Sequence, residues 1–167
     1  MLKMDNPKLT LFLFVCFQAE TMASPPALTF CMDNWVAFKG SCYYFHHSAQ
    51  SFTEAQHACL QMNSNLVQID SEAEDKFIKD FLSYQTPNFW WVGLSDDDIE
   101  GIWSWVGSKD TPTFTDWFPG EPNNANNEDC AILDINHQFK WTDIACSKLL
   151  YSICEIQSES SAPEVIG

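Results

Sequence analysis

The hydrophobic positions of this 167-residue chain change their period several times, and each change predicts an element. Leu9 to Phe17 is an apolar run broken only by Thr10, with Lys3 and Lys8 before it and small residues at Thr21 and Ala23 after it. That pattern predicts a removable export signal over 1–23. Nine helical residues reach about 14 Å, against a hydrocarbon core of about 30 Å, so the run does not read as a transmembrane anchor. Residues 24–30 read as a short leader. "WVAFKGSCYYF" (35–45) sets aromatic and β-branched residues around Lys39-Gly40, the pattern of a hairpin. Two helical periods follow. Thr53 and Gln56 read as a capping box, with Ala55, Cys59 and Met62 on one face. Ser71 and Glu74 read as a second, ahead of the stripe Phe77, Ile78, Phe81 and Leu82. "NLVQI" (65–69) predicts a short strand between the helices.

From residue 89 the period shortens. "FWWVGL" (89–94) predicts a buried strand and "IWSWV" (102–106) a half-buried one. Residues 107–129 are dense in Pro, Gly, Asp and Asn and read as one long loop, anchored by Phe114, Trp117 and Phe118. "CAILDI" (130–135), "FKWTDIAC" (139–146) and "YSICEI" (151–156) predict closing strands. The six later tryptophans read as core and loop anchors rather than a stacking platform. The tail from Gln157 is polar and reads as a flexible acidic end over 157–167.

Composition narrows the reading. With 46% hydrophobic and 14% aromatic residues, the chain suits one globular domain with a substantial core. Eight lysines, no arginine and 23 acids give a formal charge of −15, which disfavours nucleic acid and anionic membranes and favours cations. Cys16 lies in the signal; Cys31, Cys42, Cys59, Cys130, Cys146 and Cys154 remain. An even count in an exported chain reads as a disulfide framework, and the absence of a CxxC pair argues against zinc. Spacing alone leaves the pairing open. No N-x-S/T sequon, nucleophile–base pair, phosphate loop or catalytic zinc pattern occurs, so the chain does not read as an enzyme.

Oxygen donors gather in three stretches: "SDDDIEG" (95–101), "FPGEPNNANNEDC" (118–130) and "WTD" (141–143). Carboxylates mixed with side-chain amides suit calcium, a hard cation that takes about six to eight oxygens. An EF-hand is excluded by spacing. The four histidines, 46, 47, 57 and 137, do not form HExxH and read as surface or edge residues.

These motifs resemble a known family. "WVGL" (91–94), "GIWSWV" (101–106), "EPN" (121–123), "EDC" (128–130) and "WTD" (141–143), in this order and with six cysteines, resemble the long form of the C-type lectin domain across 31–156. The resemblance implies an α+β fold with two helices, small antiparallel sheets and a long calcium-binding loop. It implies disulfides Cys31–Cys42, Cys59–Cys154 and Cys130–Cys146. It also implies one or two calcium ions. The saccharide-binding site would use Glu121, Asn123, Glu128, Thr142 and Asp143; a companion site would use Asp96, Glu100, Asn124, Glu128 and Asp129. Pro122 is expected to take a cis peptide with calcium bound. The EPN order implies mannose, N-acetylglucosamine or fucose, where QPD would imply galactose. One departure stands out: sugar binders of the family usually have Asn where this chain has Thr142, and Thr offers a poorer set of donors.

The expected protein is therefore a secreted, calcium-dependent carbohydrate-binding lectin that recognises glycans on cell or microbial surfaces, in the manner of innate pattern recognition. The competing expectation is the same fold with a non-sugar ligand: mineral, ice or a protein. A single shallow site binds weakly and gains from several copies, but the sequence shows no oligomerisation segment.

Overall fold

A computed structural model of the chain describes residues 29–157. The expected signal, leader start and tail, from 158 on, lie outside them. The first element is the expected hairpin. Strands β1 (Val36–Phe38) and β2 (Ser41–Gln50) pair antiparallel, and the turn between them uses left-handed backbone at both Lys39 and Gly40. Gly40 takes φ +91° without a Cβ penalty.

Helix α1 (Phe52–Gln61) starts earlier than the Thr53 box predicts. Its N-cap is Ser51, whose backbone N–H donates to Glu54 at 2.9 Å. Phe52 decides this start. It is buried with Ala55 and Cys59, so the helix must include it to close the apolar face. Met62, at the C-cap, packs against that face as expected. Helix α2 (Glu72–Leu82) starts where expected, with the Ser71 side chain accepting from the Glu74 N–H. Ile78 and Leu82 are buried, and Phe77 and Phe81 pack beside them. The Glu74 carboxylate caps the Asp70 N–H and accepts from the Tyr43 hydroxyl at 2.7 Å.

The remaining strands are β3 (Asn65–Leu66), β4 (Trp90–Ser95), β5 (Ser104–Trp105), β6 (Cys130–Asp134), β7 (Lys140–Ile144) and β8 (Leu150–Gln157). They run in the order β1-β2-β8-β4-β6-β7, with β3 on β8 and β5 on β4. All pairings are antiparallel except β4–β8, which joins the expected small sheets into one. Three strands, β3, β5 and β7, each fall three residues short of the prediction. Val67 donates to Ile153 O and accepts from Gly93 N, so the segment crosses from β8 to β4 and its ladder breaks after Leu66. A Cβ on Gly93 would stand 2.7 Å from Leu66 O, so this close approach requires glycine.

Strand β4 is buried on both faces, and alternation divides the core. Trp90, Val92 and Leu94 face the α2 side with Ala131 and Leu133; Trp91 faces α1 with Cys130 and Ile132. Three disulfides match the expected pairs. Cys59–Cys154 ties α1 to β8 across 95 residues, a closure that stabilises the fold by about 4–5 kcal/mol in the chain-entropy view.

Candidate functional site

The loop after β5 has no helix or strand of its own, as its composition predicts. Aromatic anchors hold its first half. Trp141 of β7 is fully buried, and Trp117 and Phe114 meet its ring edge-on at 5.8 and 5.9 Å. The Trp141 indole N–H donates to Asp75 of α2 at 3.1 Å. Backbone bonds Phe118 N to Trp141 O (2.8 Å) and Trp141 N to Asp116 O (3.0 Å) zip the loop onto β7. Asp116 pairs with Lys140 at 2.6 Å and with Lys79. Burial pushes the Asp116 carboxyl upward, but the two ammonium groups outweigh it and hold it below the usual range.

The second half, 119–129, is thereby launched from a fixed base over the end of β7. The Glu121–Pro122 peptide is cis. Asn124, Asn126 and Asn127 occupy left-handed backbone at φ 49°, 64° and 66°. Part of the asparagine enrichment is therefore backbone chemistry, since Asn tolerates this region better than most residues. Asn123 is different. Its side-chain N–H donates to Glu121 Oε2 at 2.6 Å, and its Oδ1 accepts from Ala125 N at 2.7 Å.

Asp143 organises this half. Buried on β7, its carboxylate accepts from Asn123 N (3.0 and 3.1 Å) and Asn124 N (2.6 Å). It also meets the Glu121 carboxyl in hydrogen-bonding contact, and that contact, aided by burial, pushes Glu121 up to about 7. Burial and the Asp143 charge raise Glu128 as well. The Glu128 N–H is held by Asn124 Oδ1 at 2.8 Å.

A second group lies alongside. Asp96 is 3% exposed; its Oδ2 accepts from Gly101 N at 2.8 Å, while its buried Oδ1 has no hydrogen-bond partner. Burial, Glu100 and Asp143 raise its pKa. Asp129 is also raised, by burial and then by Asp96, Asp97 and Asp143. Asp143 thus lies within the field of both groups. Glu100 is exposed on the 97–101 turn, and Thr142 is buried on β7 opposite Ile132.

The arrangement suits a hard cation. Two carboxyls in direct contact need a proton or a cation between them, and the buried Asp96 Oδ1 faces no donor. The donor set is carboxylate, amide and hydroxyl oxygen, which favours calcium over zinc. Among the described residues no three His, Cys, Asp or Glu side chains gather tightly enough to hold a metal by themselves. Amide and backbone oxygens are needed to complete a shell. Two residues of these stretches that the sequence reading left out of the ligand sets bond directly to members of them. Asn127 donates to Asp129 Oδ2 at 2.6 Å, and Gly101, at φ +76°, presents its N–H to Asp96. The glycine five residues after Asp96 was the available signal.

The family model for the Lectin C-type domain matches residues 48–156. Human C-type lectin domain family 17 member A is 42% identical over 126 residues, covering 75% of this chain and 32% of the relative. Chicken hepatic lectin is 42% identical over 124 residues, covering 72% and 57%. The perlucin-like protein of Mytilus galloprovincialis is 31% identical over 141 residues, covering 83% and 89%. The chain therefore spans about a third of the human relative and a little over half of the chicken one. Among solved structures, the mouse scavenger receptor C-type lectin carbohydrate-recognition domain superposes with a TM-score of 0.72 at 32% identity, covering 77% of this chain and 98% of that one. The cow CD23 carbohydrate-recognition domain, solved in the presence of a GlcNAc2Man3 oligosaccharide, gives 0.71 at 30%, covering 78% and 98%. A calcium-independent type II antifreeze protein gives 0.71 at 25%, covering 78% and 96%. With the three disulfides paired as expected and the family model matched over residues 48–156, the chain belongs to the C-type lectin domain family.

Proposed function

We propose that the protein is a calcium-dependent binder of glycans of the mannose, N-acetylglucosamine or fucose type. The observation that carries this reading is the Glu121–Asn123–Asp143 cluster: an acceptor, a donor and a loop-holding carboxylate at one point. Glu121, Asn123, Glu128, Thr142 and Asp143 would hold one ion; Asp96, Glu100, Asn124, Glu128 and Asp129 would hold a second. Calcium, when bound, supplies the positive centre that draws two neighbouring sugar hydroxyls. The chain's own groups then select among sugars. Glu121 accepts from one hydroxyl and Asn123 donates to another, so their order favours one hydroxyl stereochemistry. Asp143 keeps the Asn123 and Asn124 backbone in place. The protein binds rather than converts its ligand.

We place the export signal at 1–23, a leader at 24–30, the lectin domain at 31–156 and a tail that begins at 158 rather than 157, because Gln157 closes β8. Three disulfides suit an oxidising compartment. Among the described residues no helix is long and apolar enough to cross a membrane. Secretion and recognition of cell or microbial surface glycans in innate defence complete the reading. Retention on a mannose column in calcium, with elution by chelator, is the expected result; flow-through in calcium contradicts it.

A second reading is favoured by Thr142, which replaces an amide with a hydroxyl at the pocket, and by the likeness to an antifreeze protein. On that reading the ligand is a mineral, ice or a protein. Flow-through from the mannose column together with growth inhibition of a crystal surface would select it.

A further inference from the structure

The Glu121–Asp143 pocket is made from two stretches of chain, the long loop and the end of β7, so its geometry depends on how they are held side by side. The far end of the loop is fixed by strong constraints. Asp129 O accepts from Asp96 N at 3.1 Å, and Cys130 lies in β6 and is bonded to Cys146. The near end has no strand of its own. Phe114 and Trp117 pack on the Trp141 ring, and residues 116–118 supply the hydrogen bonds. Ring packing fixes how close the loop lies to β7; directional bonds fix its register along the strand.

Those bonds close a ring. The Trp141 indole N–H donates to Asp75 Oδ1 at 3.1 Å. Lys79, four residues on along α2, pairs with Asp75 Oδ2 at 2.6 Å and also with Asp116 Oδ2. The Asp116 carbonyl accepts from Trp141 N at 3.0 Å and returns the circuit to its start. Lys140 adds a second arm, donating to Asp116 Oδ1 at 2.6 Å. Each carboxylate oxygen of Asp116 therefore has its own ammonium, one from α2 and one from β7.

The ring sets where the pocket carboxylates stand. Beyond Asp116, Phe118 N bonds to Trp141 O at 2.8 Å and Glu121 N to Phe118 O at 2.9 Å, so Glu121 is a fixed number of bonded steps from the clamp. Asp143 is two residues past Trp141 on the same strand. The carboxylates gathered there repel one another when no cation is bound, and the clamp opposes that repulsion. Exposed ion pairs are worth little, but here the Lys79 and Asp116 side chains are only 18% and 27% exposed, and four charges form one network. The Lys76–Asp80 pair of the same helix is 73% and 64% exposed and serves as the contrast.

We propose that Asp116 is a positioning residue for the cation site: bridged to Lys79 of α2 and Lys140 of β7, it holds Glu121 in register with Asp143 and raises the fraction of empty protein whose loop is ready to take calcium. It supplies no ligand itself. This rests on the calcium-binding reading above. Loss of the bridge lowers the competent fraction, and the apparent dissociation constant rises in inverse proportion.

The test pairs calorimetric titration of calcium, at a temperature where every protein is folded, with limited proteolysis in chelator. Asp116→Ala removes both arms and keeps the backbone carbonyl. Its calcium dissociation constant should be about three- to ten-fold above the parent's. Cleavage within 119–129 in chelator should quicken by a similar factor, and that arm reads the empty loop alone. Asp116→Glu, which keeps the charge, should bring both values back toward the parent. Asp80→Ala removes one acid and an exposed pair from the same helix, and should change neither. A dissociation constant that Asp116→Ala leaves within about two-fold of the parent overturns the proposal, even if the melting temperature falls, because Asp116 then serves the fold and not the site. An equal loss in Asp80→Ala also overturns it, since net charge alone would explain the effect. If Asp116→Ala does not fold, Lys79→Gln, which severs the α2 arm and leaves Lys140 in place, is held to the same criteria. A parent that binds no calcium overturns the calcium reading itself, and this inference with it.

Discussion

The Asp143 carboxylate holds the backbone N–H of Asn124 at 2.6 Å, so the strand that closes the core also grips the tip of the long loop. The same carboxylate faces the Glu121 carboxyl. One side chain therefore orders the loop and concentrates negative charge in it.

Separating those two roles gives the first prediction. Asp143→Asn keeps an oxygen for the Asn123 and Asn124 N–H groups but removes the repulsion with Glu121. In chelator its melting temperature should match the parent or exceed it slightly, and the response to calcium should shrink to what the companion site supplies. Asp143→Ala leaves those N–H groups without their acceptor and should cost about 2–3 kcal/mol. Thermal denaturation with and without calcium checks both. An undiminished calcium shift in Asp143→Asn would remove Asp143 from the ligand set.

Calcium itself should stabilise the parent. At about 100 times its dissociation constant, a ligand bound only by the native state adds about 2.7 kcal/mol. For a domain of this size that raises the melting temperature by about 10 °C. Limited proteolysis should show residues 119–129 protected in calcium and cut first in chelator. Superimposable melting curves in the two conditions would contradict the account.

Thr142→Asn restores an amide with both an oxygen and N–H donors. Affinity for a mannoside in calcium should rise, by about three- to ten-fold for one added hydrogen bond of about 1 kcal/mol. Titration calorimetry reads this directly. An unchanged affinity would mean that position 142 does not face the sugar.

A fourth prediction concerns the opposite end of the sheet. Glu155 of β8 accepts from Gln68 N at 3.2 Å, and burial, with the charges of Glu74 and Asp70, pushes it up to about 7. Its folded pKa exceeds the unfolded value of about 4.3, so the folded state binds the extra proton. That contribution is present below about pH 4.3 and is lost as pH rises through about 7. Glu155→Gln should therefore be more stable than the parent at pH 8 in chelator, by up to about 3 kcal/mol, with the difference shrinking toward pH 5. Denaturant titrations at the two pH values measure it. A variant less stable at pH 8 would show that the carboxylate is compensated there.

Much of this architecture was legible in the chain because period and packing agree. The apolar run at 89–94 predicted a buried strand, and its adjacent tryptophans, Trp90 and Trp91, enter opposite halves of the core. The Ser71 cap was read correctly because Glu74 and an apolar stripe follow it at the right spacing. The first cap was misplaced because two boxes overlap, Ser51/Glu54 and Thr53/Gln56, and only the burial of Phe52 chooses between them. Strand lengths at 65–69 and 102–106 were set by partners distant in sequence, such as Ile153 for Val67, which no local pattern reveals. In the candidate site, residue types announced the oxygen donors. That Asn124, Asn126 and Asn127 also occupy left-handed backbone became visible only in three dimensions.

The central claim is that a cation held between the long loop and β7 captures a saccharide. A crystal structure of the protein grown in calcium with a mannoside tests it most directly. The expected density is a calcium ion bound by oxygens of Glu121, Asn123, Glu128 and Asp143, with two sugar hydroxyls completing its shell. An ordered loop with no metal between Glu121 and Asp143, in crystals containing ample calcium, would contradict it.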